Sequence, residues 1–371
     1  SSDVCSSDLD DMEILILTGK FGMGHWSAAL SLQEQLERDG HHAQVIDFFD
    51  YAMPDIAPAL YRGFNLLVTY GGGIYNLFHR MTRNTPGEVP LAGQFTRRLA
   101  MLLDEVRPDA VLSTHPVCSG VAARYKAERG SVLPLITCIT DVTAHSEWLH
   151  PGTDCYLVPS ASVRDALRAK GVDPSRAAVT GIPVRARFAG STRPEGGRRE
   201  LLIMGGGLGL MPRKDSFYEA LNALPGVHTT ILTGKNEKLY HRLAGKYPNI
   251  EVVAFTDRVA DYMARAHLML SKPGGITTFE AIAARLPMLA WEPFLAQEQE
   301  NARFLTAHGM ARVVPKDESD CLAAIRDCIY DDALLGRMGA AMDRMSTSLR
   351  RQAASLVVER LADRGSQPMY A

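Results

Sequence analysis

Ser271-Lys272-Pro273-Gly274-Gly275-Ile276-Thr277-Thr278-Phe279-Glu280 is the stretch on which the fold turns. It follows an apolar run, His267 to Leu270, that reads as a buried strand. It precedes Phe279, Ile282, Ala283 and Leu286, whose spacing of three and four predicts a helix. Proline and two glycines between them fit a tight strand-to-helix turn. Such a turn opens backbone N–H groups at a helix N-terminus, where an anion is favoured. Glu280 falls about one turn into that helix, facing the same mouth. Amides for phosphates and a carboxylate for ribose hydroxyls would suit a nucleotide. The same ten residues also fit an ordinary connection with Glu280 as a solvated first-turn acid.

Working outward, strand and helix patterns alternate along most of the chain. Ile14 to Thr18 reads as a strand that enters Gly19-Lys20-Phe21-Gly22-Met23-Gly24-His25, a helix from about Trp26 to Arg38, and a strand at Ala43 to Asp47. This βαβ opening with a glycine-rich turn raises the question of a dinucleotide-binding domain, with Asp47 as its ribose acid. Ser27 at the third glycine position and His25 directly after the second glycine argue against it. Further strands are expected at 110–114, 135–140 and 155–158. Their polar ends, Ser113-Thr114-His115-Pro116, then Thr140-Asp141 with His145 and Trp148, would line the carboxyl edge of a parallel sheet. The three histidines there have no compact metal-ligand spacing.

Residues 188–200, rich in glycine and charge, read as a linker. A second α/β series begins with a strand at Leu201–Met204 and Gly205-Gly206-Gly207-Leu208-Gly209, and its later strands fall at 229–232, 251–254, 267–270 and 288–291. The last precedes Pro293 to Asn301, a run of hydrogen-bonding side chains including Gln297 and Glu298. Such a run suits a hydroxyl-rich ligand, or a solvated helix start. The expected organisation is a leader or tag at 1–10, a first domain at 11–187, the linker, a second domain at 201–350, and a C-terminal helix and tail at 351–371.

The net charge of −2 on 371 residues excludes an overall polyanion binder, so no nucleic-acid partner is indicated. The six cysteines form no CxxC pair, and reduced buried thiols are expected. No run approaches the roughly 18 apolar residues of a membrane span. Asp8-Leu9-Asp10 spells the Asp-x-Asp of metal-dependent sugar transferases, but its place before the first strand marks it as coincidence. Residues 60–103 are dense in aromatics, and there five arginines face a single acid, Glu88. That stretch, with Tyr75, Arg80 and Arg83 at its centre, suits either an anionic membrane surface or two core helices with solvated arginines.

Taken together, Gly22-Met23-Gly24-His25, Ser113-Thr114-His115-Pro116, Thr140-Asp141 with His145 and Trp148, Gly181-Ile182-Pro183-Val184, Gly205-Gly206-Gly207, Thr233-Gly234-Lys235-Asn236, Ser271 to Gly275 and Gln297-Glu298 through Asn301 form a recognisable set. From Ile14 to about Leu361 the sequence resembles the GT-B glycosyltransferases of family 28. Within them it is most similar to the processive diacylglycerol glycosyltransferases and monogalactosyldiacylglycerol synthases. Met23, where many relatives have a third glycine, and Trp26, where an arginine is common, depart from the pattern beside the acceptor site.

The resemblance implies an α/β, GT-B fold of two Rossmann-like domains whose parallel sheets face a cleft. It implies inverting transfer of a hexose from a UDP-sugar to diacylglycerol or a related lipid, with no tightly bound cofactor or metal. The enzyme would be cytoplasmic, attached peripherally to the inner face of the cell membrane through its anionic surface. His25 matches the proposed base, with Asp141 as a candidate to orient it. Donor binding is expected at Gly205, Gly206, Gly207, Gly234, Lys235, Phe255, Ser271, Lys272, Gly274, Gly275, Thr277, Glu280, Gln297 and Glu298. Acceptor or membrane contact is expected at Gly22, Gly24, Tyr75, Arg80, Arg83, His115, His145 and Trp148. Two other activities share this plan: sugar transfer to a different lipid-linked acceptor, and epimerisation of a UDP-sugar.

Overall fold

A computed structural model describes residues 11–21, 23–70, 92–190, 193, 197–206, 211–315, 317–349, 354, 356–358, 360 and 361. The expected leader, together with Gly22, Tyr75, Arg80, Arg83 and Gly207, lies outside the described residues.

Two six-stranded parallel sheets carry the chain. The first contains β1 (Glu13–Thr18), β2 (His42–Asp47), β3 (Ala110–Ser113), β4 (Leu135–Cys138), β5 (Cys155–Val158) and β6 (Ala177–Val179) in the order β2-β1-β3-β4-β5-β6. The second contains β7 (Arg199–Met204), β8 (Val227–Leu232), β9 (Ile250–Val253), β10 (Leu268–Ser271), β11 (Met288–Trp291) and β12 (Ala311–Val314) in the order β12-β11-β10-β7-β8-β9. Ile14 to Leu17 are buried throughout, as are Leu268 to Leu270. Continuous apolar runs of this kind belong to strands covered on both faces by helices.

Each sheet reverses its winding once. The reversal falls between β1 and β3 in the first sheet and between β7 and β10 in the second. In open parallel sheets the crevice at that reversal, outside the carboxyl ends of the strands, is where ligands bind. Leu17 pairs with Ser113 at the first, and Met204 with Ser271 at the second. The glycine turn after β1 therefore stands at one reversal. The turns at Gly205 and at Lys272–Gly275 stand together at the other.

The halves share a core. Ala28, Ile139, Trp148 and Ile182 from the first side pack with Phe279, Ile282, Phe304 and Met342 from the second. The chain also returns on itself: Ala354, Val357 and Val358 pack with Met12, Ile14, Leu32 and Leu36 under the first sheet. Two strands escape the sequence pattern, β6 and β12. Both are sheet edges of three or four residues, too short to set an apolar period. The first helix begins at Gly24, earlier than the pattern suggests, and so takes His25 into its first turn.

Candidate active site

His25 sits at the first reversal. Its Nδ1 is 2.8 Å from the carbonyl oxygen of Thr114 and 2.8 Å from Oγ1 of Thr140. A carbonyl can only accept, so Nδ1 carries the hydrogen and Nε2 is left with its lone pair. The Thr114 hydroxyl donates to Thr18 Oγ1 at 2.8 Å, which ties this contact to the end of β1. Enclosure by protein lowers the His25 pKa to about 4, against the opposing effect of the Thr114 carbonyl. The positive end of the helix Gly24–Arg38 acts in the same direction. The imidazole is therefore neutral at physiological pH and able to accept a proton.

Asp141, the candidate to orient this histidine, is engaged elsewhere. Its Oδ1 accepts from Asn301 Nδ2 at 3.1 Å, and it takes the Gly275 amide. Burial first, and then the negative charge of Glu298, raise its pKa to about 6. The partners that hold His25 are Thr114 and Thr140. Sequence reading marked both as polar strand ends without giving them this role.

Across the seam, the helix Gly275–Ala283 takes no side-chain cap from Gly274, and the first of its amides, that of Gly275, is bound by Asp141. Gly206 is in the left-handed region at φ 71°, as is Gly234 at φ 57°. A side chain would strain both turns. Lys272 Nζ is 2.9 Å from Glu298 Oε1, so two expected donor residues meet as a half-buried pair. Ser271 is buried at the strand end, and Thr277 turns its hydroxyl toward Gly274. The buried Oε1 of Gln297 and Oγ1 of Thr278 have no hydrogen-bond partner among the described residues. Orphaned buried acceptors of this kind suit a hydroxylated ligand. Lys235 is exposed after β8, and Phe255 is 59% exposed after β9.

Glu280 lies within the influence of Arg185 and Arg187, which follow the Gly181–Val184 segment and which sequence reading did not single out. Burial pushes the Glu280 carboxyl up to about 8, with the two arginines opposing the shift.

The two other expected histidines, His115 and His145, each cap an element. His115 and His145 are buried, and each spends Nδ1 on capping the element that follows, through Val117 N and Glu147 N. The His115 ring stands 4.8 Å from that of His25 and is also packed by Phe21 and Phe49. Trp148 is buried at the seam, 6.0 Å from the His25 ring. Beside the first glycine turn, Lys20 lies over the Trp26 ring, and Met23 is exposed. The helix Ala57–Tyr70 anchors through Ala57, Tyr61 and Phe64 and leaves Leu60 and Leu66 exposed, with Ile56 exposed just before it. Among the described residues no group of three or more His, Cys, Asp or Glu is placed to hold a metal ion.

The chain is similar to known proteins over most of its length. Residues 25–184 match the model of monogalactosyldiacylglycerol (MGDG) synthase, and residues 202–355 match the glycosyltransferase family 28 C-terminal domain. A processive diacylglycerol beta-glucosyltransferase of Bacillus subtilis is 30% identical over 343 residues, spanning 88% of this chain and 89% of that protein. Among solved structures, the calicheamicin glycosyltransferase superposes with a TM-score of 0.64 at 18% identity, over 97% of this chain and 100% of that one. The UDP-GlcNAc 2-epimerase of Neisseria meningitidis does so with 0.61 at 14% identity, over 95% and 100%. Those two likenesses establish the GT-B fold. With the matched domains and the Bacillus relative, they show that this chain is a glycosyltransferase belonging to the monogalactosyldiacylglycerol synthase and processive diacylglycerol glucosyltransferase family.

Proposed function

We propose that the enzyme transfers a hexose from a UDP-sugar to the free hydroxyl of diacylglycerol, with inversion, at a membrane surface. The observation that carries this reading is the His25 tautomer. The Thr114 carbonyl keeps the hydrogen on Nδ1, leaving a neutral Nε2 able to accept a proton in the first turn of the helix that follows the first sheet's glycine turn. A lipid hydroxyl is a poor nucleophile and needs such a base as the new bond forms. Its oxygen attacks the anomeric carbon while the proton passes to Nε2. The bond from that carbon to the β-phosphate oxygen breaks, and UDP leaves with the electron pair. Amides that follow Gly275 in the helix Gly275–Ala283, with those of the Gly205–Gly206 turn, stabilise the growing charge. A single displacement converts an α-linked donor into a β-linked product, and NMR of the product's anomeric proton tests this. An α-linkage would contradict it.

Glu280 holds the ribose hydroxyls in this account. Glu280→Gln should weaken UDP binding by about 2–10-fold, the scale of one net hydrogen bond. Unchanged titration calorimetry would sink the assignment. The same variant should alter stability with the opposite sign. The Glu280 carboxyl is raised from 4.5 to about 8 in the folded state. Its favourable contribution is complete below the lower value and lost as pH rises through the upper one. The glutamine variant should therefore melt higher than wild type above pH 8, a comparison that thermal unfolding at pH 6 and pH 9 provides.

The exposed apolar residues on and just before the helix Ala57–Tyr70 fit a membrane surface. No described helix is long and apolar enough to cross a membrane. Leu66→Asp should reduce binding to anionic vesicles by about fivefold or more, the scale of burying part of one leucine. Equal sedimentation of variant and wild type with vesicles would rule out this face. Tyr75, Arg80 and Arg83 belong to the same proposal on sequence grounds.

A further inference from the structure

Asn301 has no exposed surface, and its side chain is fully engaged. Oδ1 accepts the Val142 N–H at 2.8 Å, while Nδ2 donates to Asp141 Oδ1 at 3.1 Å and to the Pro273 carbonyl at 2.9 Å. Two of these partners are in the segment after β4. The third begins the turn that opens the helix Gly275–Ala283. A buried amide with every bond made is hard to displace, because each lost bond leaves an unpaired polar group.

Both ends of this bridge reach the chemistry. On one side Asp141 directly follows Thr140, whose Oγ1 is 2.8 Å from His25 Nδ1. On the other, Gly275 is pressed so closely that a Cβ there would fall 2.0 Å from the Thr140 carbonyl oxygen. Asn301 also shares a helix with Gln297, one turn earlier, whose buried Oε1 is unsatisfied among the described residues. The side chain of Asn301 has no free group or exposed surface with which to bind a sugar itself.

We propose that Asn301 is a positioning residue: with Asp141 it latches the turn Pro273–Gly275 to the strand end carrying Thr140, and so fixes the distance between His25 and the bound donor. The proposal rests on His25 being the proton acceptor. It changes the role of Asp141 from a partner of the histidine to a hydrogen-bond acceptor that joins the halves. It also explains why the residue after Pro273-Gly274 has no side chain.

The test combines rates with an exchange measurement that needs no turnover. With UDP-glucose and UDP-galactose as donors and dioleoylglycerol vesicles as acceptor, Asn301→Ala should lower kcat by at least about tenfold, the effect of a misplaced catalytic geometry, with donor KM changed far less. The Val142 amide should exchange faster in the variant, while Ile136 in β4 stays protected. Asp141→Ala approaches the same bonds from a less buried position should Asn301→Ala not fold. It should reproduce the loss, and Asp141→Asn, which keeps the acceptor oxygen, should recover most of it. Wild-type kcat in Asn301→Ala, a Val142 amide that stays protected, or an Asp141→Asn variant as impaired as Asp141→Ala would each overturn the latch. A fully active His25→Ala would instead refute the base assignment and leave the exchange result standing.

Discussion

His25→Ala is expected to reduce turnover by about 10²–10⁴-fold, the range a positioned general base supplies, while UDP affinity stays at the wild-type level. The separation of the two effects follows from geometry. His25 is held by Thr114 and Thr140 of the first half, whereas the glycine turns at 205 and 274, and Glu280, belong to the second. Removing the imidazole takes away the contacts to the Thr114 carbonyl and the Thr140 hydroxyl, both in the first half. The pH profile carries a further signature. Because enclosure lowers the histidine to about 4, the acid limb of kcat should fall near that value and not near the usual 6.5. Rates of wild type and variant at saturating donor from pH 4 to 8, with UDP calorimetry on both, check the two statements. A variant with wild-type turnover removes His25 from the base role.

Gly275→Ala should be nearly as damaging by a different route. The added Cβ would stand 2.0 Å from the Thr140 carbonyl oxygen and 2.7 Å from Asp141 Oδ1. The first of these is backbone, so no rotamer relieves it. Either the helix Gly275–Ala283 retreats or the halves part, and a displacement of about 1 Å is enough to lower catalysis roughly a hundredfold. Overpacking of a close contact also destabilises by about 1–3 kcal/mol. Kinetics and thermal unfolding of the variant should therefore both change. Gly336→Ala provides the control. Its Cβ meets nothing within 4 Å, and it lies inside the helix Asp332–Ser348, where alanine is the better residue. If Gly275→Ala behaves like that control, the seam is not closed as described.

Much of this was legible in the residues. The strands that decide the fold, β1 and β10, are apolar runs ended by glycine turns, and such runs admit one reading once helices alternate with them. The two missed strands, β6 and β12, are short edges whose place is set by a neighbour and not by their own pattern. At the site, single-residue chemistry was readable and pairing was not. A histidine after two glycines stands out, but its Nδ1 partner is 89 residues away at Thr114. Asp141, at a polar strand end, was a candidate to orient the histidine, yet a bond to Asn301, 160 residues on, engages it at the seam. Lys272 and Glu298 were each read as facing the donor, and the structure joins them. His115, His145 and Trp148 carry the types expected of an acceptor mouth; in the fold the two histidines also cap the elements that follow them, and Trp148 is buried. Arg185 and Arg187 gave no signal beyond following Gly181-Ile182-Pro183-Val184, and only folding brings them to Glu280.

The central claim is sugar transfer from a nucleotide to a lipid hydroxyl by a base in one half acting on a donor held in the other. Its most direct test is mass spectrometry of lipids after incubating wild type and His25→Ala with UDP-glucose, UDP-galactose or UDP-N-acetylglucosamine and dioleoylglycerol vesicles. The account predicts a hexosyl-diacylglycerol with at least one donor for wild type and almost none for the variant. Consumption or epimerisation of the nucleotide sugar without acceptor, and no glycolipid from any donor, would contradict it.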